Sequence, residues 1–284
     1  MKVEVAAKAG FCFGVNRAVD TVYREAKEGQ KPVYTYGPII HNEEVIADLE
    51  RQGVRVLDTL EEAGRIHEGT VIIRSHGVTE AEQKELEETG LHVVDATCPF
   101  VKKIHRYVRE FSEKGYYVIV IGNSQHPEVK GIVGCSHPEH TSVIENASDA
   151  ENLTINDIKK VCIVAQTTFN YNKFQDLVEI IRKKGYDIIV HNTICSATKE
   201  RQEAAGVLSG KVDAMFVIGG TSSSNTRKLY EICSENCKNT YFIQTKEDLE
   251  HSEFPRFDYV GITAGASTPN NIIEEVQKYV RNEL

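Results

Sequence analysis

The sequence has no long hydrophobic run, no excess of positive charge and no export signal that we recognise. The longest uninterrupted apolar stretch, residues 116–121, has six residues, whereas a membrane-spanning helix needs about 20. Acidic residues outnumber basic ones by 42 to 33 in a chain of 284, for a net charge of −9. We therefore expect neither membrane insertion nor non-specific binding to nucleic acid. Glu4 would interrupt the apolar core of a signal peptide, so we expect a cytoplasmic protein.

The chain has few cysteines, and their number is odd. Seven cysteines in a chain without an expected export signal favour reduced thiols, metal ligands or core packing over disulfides. Hydrophobic residues make up 40% of the chain and charged residues 26%, which is typical of a globular protein and excludes an intrinsically disordered one.

Three cysteines stand at matching places in an internal repeat. Cys12, Cys98 and Cys195 each follow a short apolar strand and precede a helix, and they divide the chain into near-equal thirds. Strands that alternate with helices of this length predict an α/β fold with parallel sheets. We expect three similar α/β units, covering residues 1–96 with the N-terminal strand, 97–193 and 194–284.

The position of these cysteines favours metal binding. A helix N-terminus stabilises a thiolate, which is the form that ligates metals. Three thiolates that converge on one point would suit a zinc ion or an iron–sulfur cluster with one open position. Burial as ordinary core cysteines is the alternative, and it is weakened by the repetition of the pattern.

Polar residues follow other strands of the repeat and precede helices. Helix N-terminal amides together with neutral donors bind phosphate well, so these loops predict an anion site. Simple helix capping would use the same residue types. The candidates are His41, His76, Ser223, Ser224, Asn225 and Ser267.

The middle repeat alone brings a carboxylate to such a loop. Glu128 lies two residues after His126, and Thr167 follows a later strand of the same third. A partly desolvated carboxylic acid beside a bound anion would have a raised pKa and would act as a proton donor. The alternative is a first-turn glutamate that interacts only with the helix dipole.

Four motifs resemble one enzyme family over essentially the whole chain. Residues 10–15, 95–99, 192–195 and 223–225 are similar to those of the 4-hydroxy-3-methylbut-2-enyl diphosphate reductases of isoprenoid synthesis. The resemblance implies three pseudo-symmetric α/β units with parallel sheets around a central iron–sulfur cluster. It also implies reductive dehydroxylation of the 4-hydroxy diphosphate to isopentenyl and dimethylallyl diphosphate.

The resemblance assigns a role to each candidate residue. Cys12, Cys98 and Cys195 would hold a [4Fe-4S] cluster with one iron free of protein ligands, and Glu128 would donate protons. A small ferredoxin or flavodoxin would supply electrons. Thr167 would assist Glu128, and with His126 it would also belong to the substrate-binding residues. The diphosphate of the substrate would be held by His41, His76, Ser223, Ser224, Asn225 and Ser267, with His126 nearby.

Two other functions remain open from the sequence alone. A redox-neutral hydro-lyase would use the same open iron without needing a reductant. A non-catalytic sensor of iron or of a phosphate ligand would bind without turnover, although the chain has no DNA-reading module or basic face.

Overall fold

The computed structural model describes residues 1–156, 158, 160–251 and 254–283. Its internal contacts divide the chain into two compact units. We call one the terminal unit, which comprises Met1–Asn16, His41–Ala47 and the chain from Cys195 onward. The other is the middle unit, which comprises Arg17–Ile40 and Asp48–Ile194. Leu284, the last residue of the expected third α/β unit, lies outside the described residues.

The middle unit contains two parallel four-stranded sheets. The first has the order β3-β2-β4-β5 and the second the order β7-β6-β8-β9. Every neighbouring pair within them is parallel. The strands are β2 (Val33–Tyr36), β3 (Val54–Leu57), β4 (Thr70–Ile73), β5 (His92–Asp95), β6 (Tyr117–Ile121), β7 (Thr141–Ile144), β8 (Lys160–Ala165) and β9 (Asp187–Val190).

The terminal unit contains a third sheet of the same design. Its order is β1-β12-β10-β11, and its neighbouring strands are again parallel. The strands are β1 (Lys2–Val5), β10 (Ala214–Ile218), β11 (Thr240–Ile243) and β12 (Tyr259–Ala264). The described residues thus confirm the expected α/β fold with parallel sheets.

The N-terminal strand does not join the sheet of the first third, where we expected it. It pairs with β12, with Lys2 opposite Tyr259 and Val5 opposite Ile262. The repeat explains this pairing, because each strand that leads to a cysteine loop forms the edge of a sheet, next to the last strand of a repeat. β5 lies beside β4 and β9 beside β8, and β1 takes the equivalent edge of the last sheet. The boundaries at 96/97 and 193/194 stay a prediction.

Helices connect the parallel strands, as crossover connections require. Two of them begin with proline at the first helical position, where its missing N–H costs nothing. The helices are α1 (Phe13–Glu28), α2 (Glu43–Arg51), α3 (Leu60–Gly64), α4 (Glu80–Glu88), α5 (Pro99–Glu113), α6 (Pro127–Val133), α7 (Ala147–Asn152), α8 (Tyr171–Arg182), α9 (Ser196–Ser209), α10 (Ser224–Asn236), α11 (Glu247–Glu250) and α12 (Asn270–Glu283).

Both faces of the sheets carry a hydrophobic core. In the second sheet Ile119 and Ile163 pack into one core, whereas their neighbours Val120 and Val164 pack into another. Successive side chains of a strand point to opposite faces, so the nearly continuous apolar strands are explained by helices on both sides. Each sheet ends at the loops that follow its strands, where the candidate residues lie.

Among the described residues, no helix combines the length and the apolar character needed to cross a membrane.

Candidate active site

Two of the three repeat cysteines lie in the terminal unit, each at the start of a helix. The N–H of Cys12 donates to the carbonyl of Ala266 at 3.3 Å, and its own carbonyl accepts from Asn16 at 2.9 Å. Cys195 is the N-cap of α9, and its carbonyl accepts from the N–H of Thr198 at 2.9 Å. Both thiols are reduced and half-buried, so they are accessible to a ligand.

The electrostatics of Cys195 show that the two thiols share one environment. Burial raises the pKa of Cys195, and the nearby Cys12 raises it further. The N–H groups of Ala197 and Thr198 oppose this effect, as does the cation of Arg201. The helix N-terminus therefore presents amide donors to the sulfur, which is the arrangement that stabilises a thiolate.

Cys98 occupies the same kind of corner in the middle unit. It is the N-cap of α5, with Pro99 at the first helical position. Its N–H donates to the carbonyl of Ser75 at 2.9 Å. Arg17 donates from Nη1 to the carbonyl of Thr97 at 3.1 Å and so fixes the loop that leads to Cys98.

The other four cysteines are buried in hydrophobic cores. Burial raises the pKa of Cys135 to about 11, and the pKa values of Cys162 and Cys233 to about 12. Cys237 packs in the same core as Cys233. Such thiols are poor metal ligands at neutral pH. Among the described cysteines, the three that are half-buried are those at helix starts, where the amide groups favour a thiolate, the form that binds a metal cluster.

The neutral candidate residues of the terminal unit lie together. The hydroxyl of Ser267 donates to the carbonyl of His41 at 2.9 Å and lies 3.4 Å from Oγ of Ser223. Oδ1 of Asn225 accepts from the N–H of Ala266 at 2.9 Å. Ser224 is the first residue of α10. The loops that follow β10 and β12 are thus joined through their own polar side chains.

The side-chain amide of Asn225 has a donor that no described residue uses. Its Nδ2 is buried and makes no hydrogen bond to any residue that the structure describes. An unused buried donor is costly unless a ligand accepts from it. Together with the N-terminus of α10, it is suited to an anion. Oγ of Ser223 instead caps the helix, accepting from the N–H of Thr226 at 3.3 Å.

Two histidines meet in the middle unit. The rings of His76 and His126 pack edge to face with their centroids 5.2 Å apart. Nδ1 of His126 accepts from the N–H of Glu128 at 3.1 Å, so His126 is the N-cap of α6. Gly77, beside His76, has φ of +74°. A Cβ at this position would lie 3.0 Å from Cγ2 of Thr97, so the close packing here suits glycine.

Glu128 is held by two hydrogen bonds from one residue. The N–H of Thr167 donates to Oε1 at 2.6 Å, and its hydroxyl donates to Oε2 at 2.7 Å. The Glu128 side chain is only 1% exposed. Burial raises its pKa to about 7, although the two hydrogen bonds act in the opposite direction. A buried carboxyl of this kind exchanges a proton near neutral pH.

A family model, described as LytB protein, matches residues 3–281. The chain belongs to the LytB family. A relative from Thermoanaerobacter sp. (strain X514), named 4-hydroxy-3-methylbut-2-enyl diphosphate reductase, is 47% identical over 283 residues, 99% of this chain and 97% of that protein. A relative of the same name from Clostridioides difficile (strain 630) is 44% identical over 283 residues, which cover 99% and 100% of the two chains.

Solved structures of LytB-type reductases share the fold. The E-1-hydroxy-2-methyl-but-2-enyl-4-diphosphate reductase from Plasmodium falciparum matches with a TM-score of 0.90 and 31% identity, covering 99% of this chain and 87% of that one. A second structure, described as the terminal enzyme of the non-mevalonate pathway, matches with a TM-score of 0.71 and 42% identity, over 99% of both chains.

These comparisons confirm the resemblance inferred from the cysteine and serine motifs, and they make the chain an enzyme of the oxidoreductase class. The candidate residues of this LytB-family chain are divided between the two units. The terminal unit holds Cys12, Cys195, His41, Ser223, Ser224, Asn225 and Ser267, and the middle unit holds Cys98, His76, His126, Glu128 and Thr167. Their individual roles stay predictions.

Two arginines that fix cysteine loops, Arg17 and Arg201, were not predicted from the sequence. Both lie within the first two turns of a helix that follows a repeat cysteine. That shared spacing is a signal in the sequence, but arginine is common on helix surfaces and the pattern does not show that either side chain turns inward.

Proposed function

We propose that the chain reduces (E)-4-hydroxy-3-methylbut-2-enyl diphosphate to isopentenyl and dimethylallyl diphosphate. The observation that carries the proposal is the buried Glu128–Thr167 pair, which holds a proton near neutral pH, in a chain of the LytB family. The reaction takes up two electrons and two protons and releases the hydroxyl group as water.

We assign Cys12, Cys98 and Cys195 as the protein ligands of a [4Fe-4S] cluster with one iron free of protein ligands. The support is that the three thiols occupy equivalent strand-to-helix corners of the repeat and are half-buried, whereas the other cysteines are buried in hydrophobic cores. When bound, the cluster supplies electrons and a Lewis-acidic iron site. A small ferredoxin or flavodoxin in the cytoplasm is the electron donor that we propose.

The loops that carry neutral donors would bind the diphosphate. Ser223, Ser224, Asn225 and Ser267 offer hydroxyl and amide groups, and His41, His76 and His126 would complete the site. Donors of this kind bind an anion without needing to change protonation state. The buried Nδ2 of Asn225 is the best-supported contact, because no described residue uses it.

Glu128 would deliver the protons. Oε1 accepts the N–H of Thr167, so a proton on the carboxyl is best held at Oε2, beside the Thr167 hydroxyl. The hydroxyl donates to Oε2 when the carboxyl is ionised. When Oε2 carries the proton the hydrogen bond reverses, and the hydroxyl can give its own proton to the substrate while it takes the proton of Oε2, because it both donates and accepts. One proton leaves with the substrate hydroxyl as water. Glu128 then takes up a second proton from solvent, and this proton is added to a carbon of the allyl group to give the product. Burial of this side chain away from water raises its pKa, so that the carboxyl can carry a proton at neutral pH.

The decisive experiment combines composition with turnover. The chain is purified and reconstituted without oxygen, its iron and sulfide are counted, and the substrate is supplied with and without a chemical reductant. We expect about four irons per chain and formation of both products only with the reductant. Turnover without a reductant would indicate a hydro-lyase, and tight binding of the substrate without any turnover would indicate a sensor.

A further inference from the structure

A buried arginine lies between the two cysteine loops of the terminal unit. Arg201, on α9, is only 2% exposed. Its Nε donates to the carbonyl of Lys8 at 2.8 Å, and its Nη2 donates to the carbonyl of Gly10 at 2.8 Å. Its Nη1 donates to the carbonyl of Ala197 at 3.2 Å. One guanidinium therefore joins the loop before Cys12 to the first turn after Cys195.

No carboxylate of the described residues forms an ordinary ion pair with Arg201. Burial of an unpaired cation is unfavourable, and here burial lowers the pKa of Arg201. The groups that favour its charged form are Cys12 first, then Cys195 and Glu200. The carboxylate of Glu200 is half-exposed and pairs with Lys8 at 3.3 Å. Within the described part of the terminal unit, Arg201 is thus bonded to the backbone of both cysteine loops, where its charge would offset that of two ligating thiolates.

The loop that Arg201 holds is conformationally strained. Lys8 has φ of +65°, which side-chain-bearing residues rarely adopt. Gly10 has φ of +91°, which glycine adopts without strain, and a Cβ there would lie 2.8 Å from Oδ1 of Asn270. The strain at Lys8 persists only when neighbouring contacts enforce it. The two bonds from Arg201 to the carbonyls of Lys8 and Gly10 are such contacts, so the position of Cys12 depends on them.

We propose that Arg201 is a positioning residue for the metal centre, holding Cys12 beside Cys195 and offsetting the negative charge of their thiolates. The inference rests on the proposed iron–sulfur centre and deepens it. The direction of its effect follows from electrostatics, because reduction adds negative charge to a cluster and a nearby buried cation favours the reduced form. Arg201 should therefore raise the reduction potential of the centre.

The test uses two substitutions of Arg201 and one matched control. Arg201→Met removes the charge but keeps much of the length, whereas Arg201→Lys keeps the charge and loses the fork of donors. Lys228→Met removes a positive charge from α10 of the same unit, where Lys228 is half-buried and pairs with Glu231 at 2.9 Å. Each variant is reconstituted without oxygen, its iron and sulfide are counted, and its potential is measured by a redox titration followed by electron paramagnetic resonance.

We expect Arg201→Met to shift the potential to more negative values, with Arg201→Lys between it and the unchanged chain, and Lys228→Met to have no effect. If Arg201→Met retains no cluster while Arg201→Lys does, the proposed role of the charge is supported as well. An unchanged potential in Arg201→Met overturns the proposed effect of the charge. Loss of the cluster in both variants, with circular dichroism that shows a folded chain, also overturns it, because the lysine cation then fails to retain the centre, but it supports the positioning of Cys12 by the fork of donors. Full cluster content together with an unchanged potential in both variants overturns both parts of the proposal.

The outcome is separable from the proposed function. If the unchanged chain binds no cluster and does not reduce the substrate, the proposed function fails before Arg201 is tested. If the unchanged chain has both properties and the variants match its potential, only the role of Arg201 fails.

Discussion

Equivalent corners of the fold carry different chemistry in the two units. In the terminal unit, the loops after β10 and β12 bring Ser223 next to Ser267, two neutral hydroxyl groups. In the middle unit, the corresponding loops after β6 and β8 bring Glu128 next to Thr167, so that one of the two groups is ionisable. The repeated strand-to-helix corner is a common frame, and the side chain placed there decides whether it is suited to binding or to proton transfer.

The burial of the two pairs is similar, but its consequence differs. Burial of a neutral hydroxyl requires only a hydrogen-bond partner, whereas burial of a carboxyl also shifts its proton equilibrium. Ser223 and Ser267 form hydrogen bonds to each other and to the backbone. These bonds hold the two hydroxyl groups in place on a surface suited to binding. Glu128 has a pKa of about 7, which prepares an acid. Five predictions test this contrast, from the largest expected effect to the smallest.

The largest effect is expected from the repeat cysteines. Replacing Cys12, Cys98 or Cys195 with serine should remove most of the iron and all reductase activity, because serine does not replace a thiolate ligand for this kind of cluster. Iron and sulfide analysis after anaerobic reconstitution measures the effect.

The matched controls are Cys162→Ser and Cys233→Ser, at thiols fully buried in cores. They should lower stability but keep the iron content near that of the unchanged chain. Loss of iron in Cys233→Ser together with retention in Cys195→Ser would contradict the ligand assignment.

The next effect concerns proton delivery. Glu128→Gln preserves the size of the side chain and an acceptor for the N–H of Thr167, but it removes the acidic proton. The turnover rate should fall by roughly 10²–10⁴, the usual contribution of a positioned acid. Substrate affinity and iron content should change little. Single-turnover kinetics with excess reduced enzyme measures the chemical step. A rate close to that of the unchanged chain would mean that Glu128 only begins its helix.

The same carboxyl should make stability depend on pH. Its folded pKa of about 7 lies above the ordinary value of 4.5, so the folded chain binds the proton more tightly than the unfolded chain does. The resulting stabilisation is fully present below pH 4.5 and is lost as the pH rises through 7. Glu128→Gln should therefore match the unchanged chain in acid and exceed it above pH 7 by up to roughly 3 kcal/mol. Urea unfolding of the cluster-free chain at several pH values tests this, and a difference that does not vary with pH would contradict it.

A smaller effect is expected at the neutral site. Asn225→Ala removes the buried Nδ2 donor and should weaken substrate binding by roughly 1.5–3 kcal/mol, the usual contribution of a hydrogen bond to a charged group. The cluster content should not change. An analogue that lacks the diphosphate is the control, because its binding should be nearly insensitive to the substitution. Equal losses for both ligands would show that this loop does not contact phosphate.

The sequence predicted the fold and the position of the cysteine corners because both follow from the repeat of short strands and helices. It did not predict the sheet that β1 joins, because a parallel partner is chosen by tertiary packing and not by neighbouring residues. It suggested an acid at Glu128 assisted by Thr167, but not that both the N–H and the hydroxyl of Thr167 donate to the carboxyl, because Thr167 lies on a loop distant in the sequence. Arg201 was missed for the same reason, since its acceptors Lys8 and Gly10 are at the other end of the chain.

The smallest effect should come from Thr167, and it distinguishes the two roles of its side chain. Thr167→Val keeps the shape and the N–H that donates to Oε1 of Glu128, but it removes the hydroxyl beside Oε2. That hydroxyl lowers the pKa of Glu128, so its loss should raise the pKa further and move the fall in activity to higher pH. Turnover near pH 7 should slow by about tenfold or less, because Glu128 itself remains. Thr167→Ser restores a hydroxyl and should recover both the rate and the pH profile. A pH profile that is the same in Thr167→Val and in the unchanged chain would mean that the hydroxyl neither tunes nor relays the proton of Glu128.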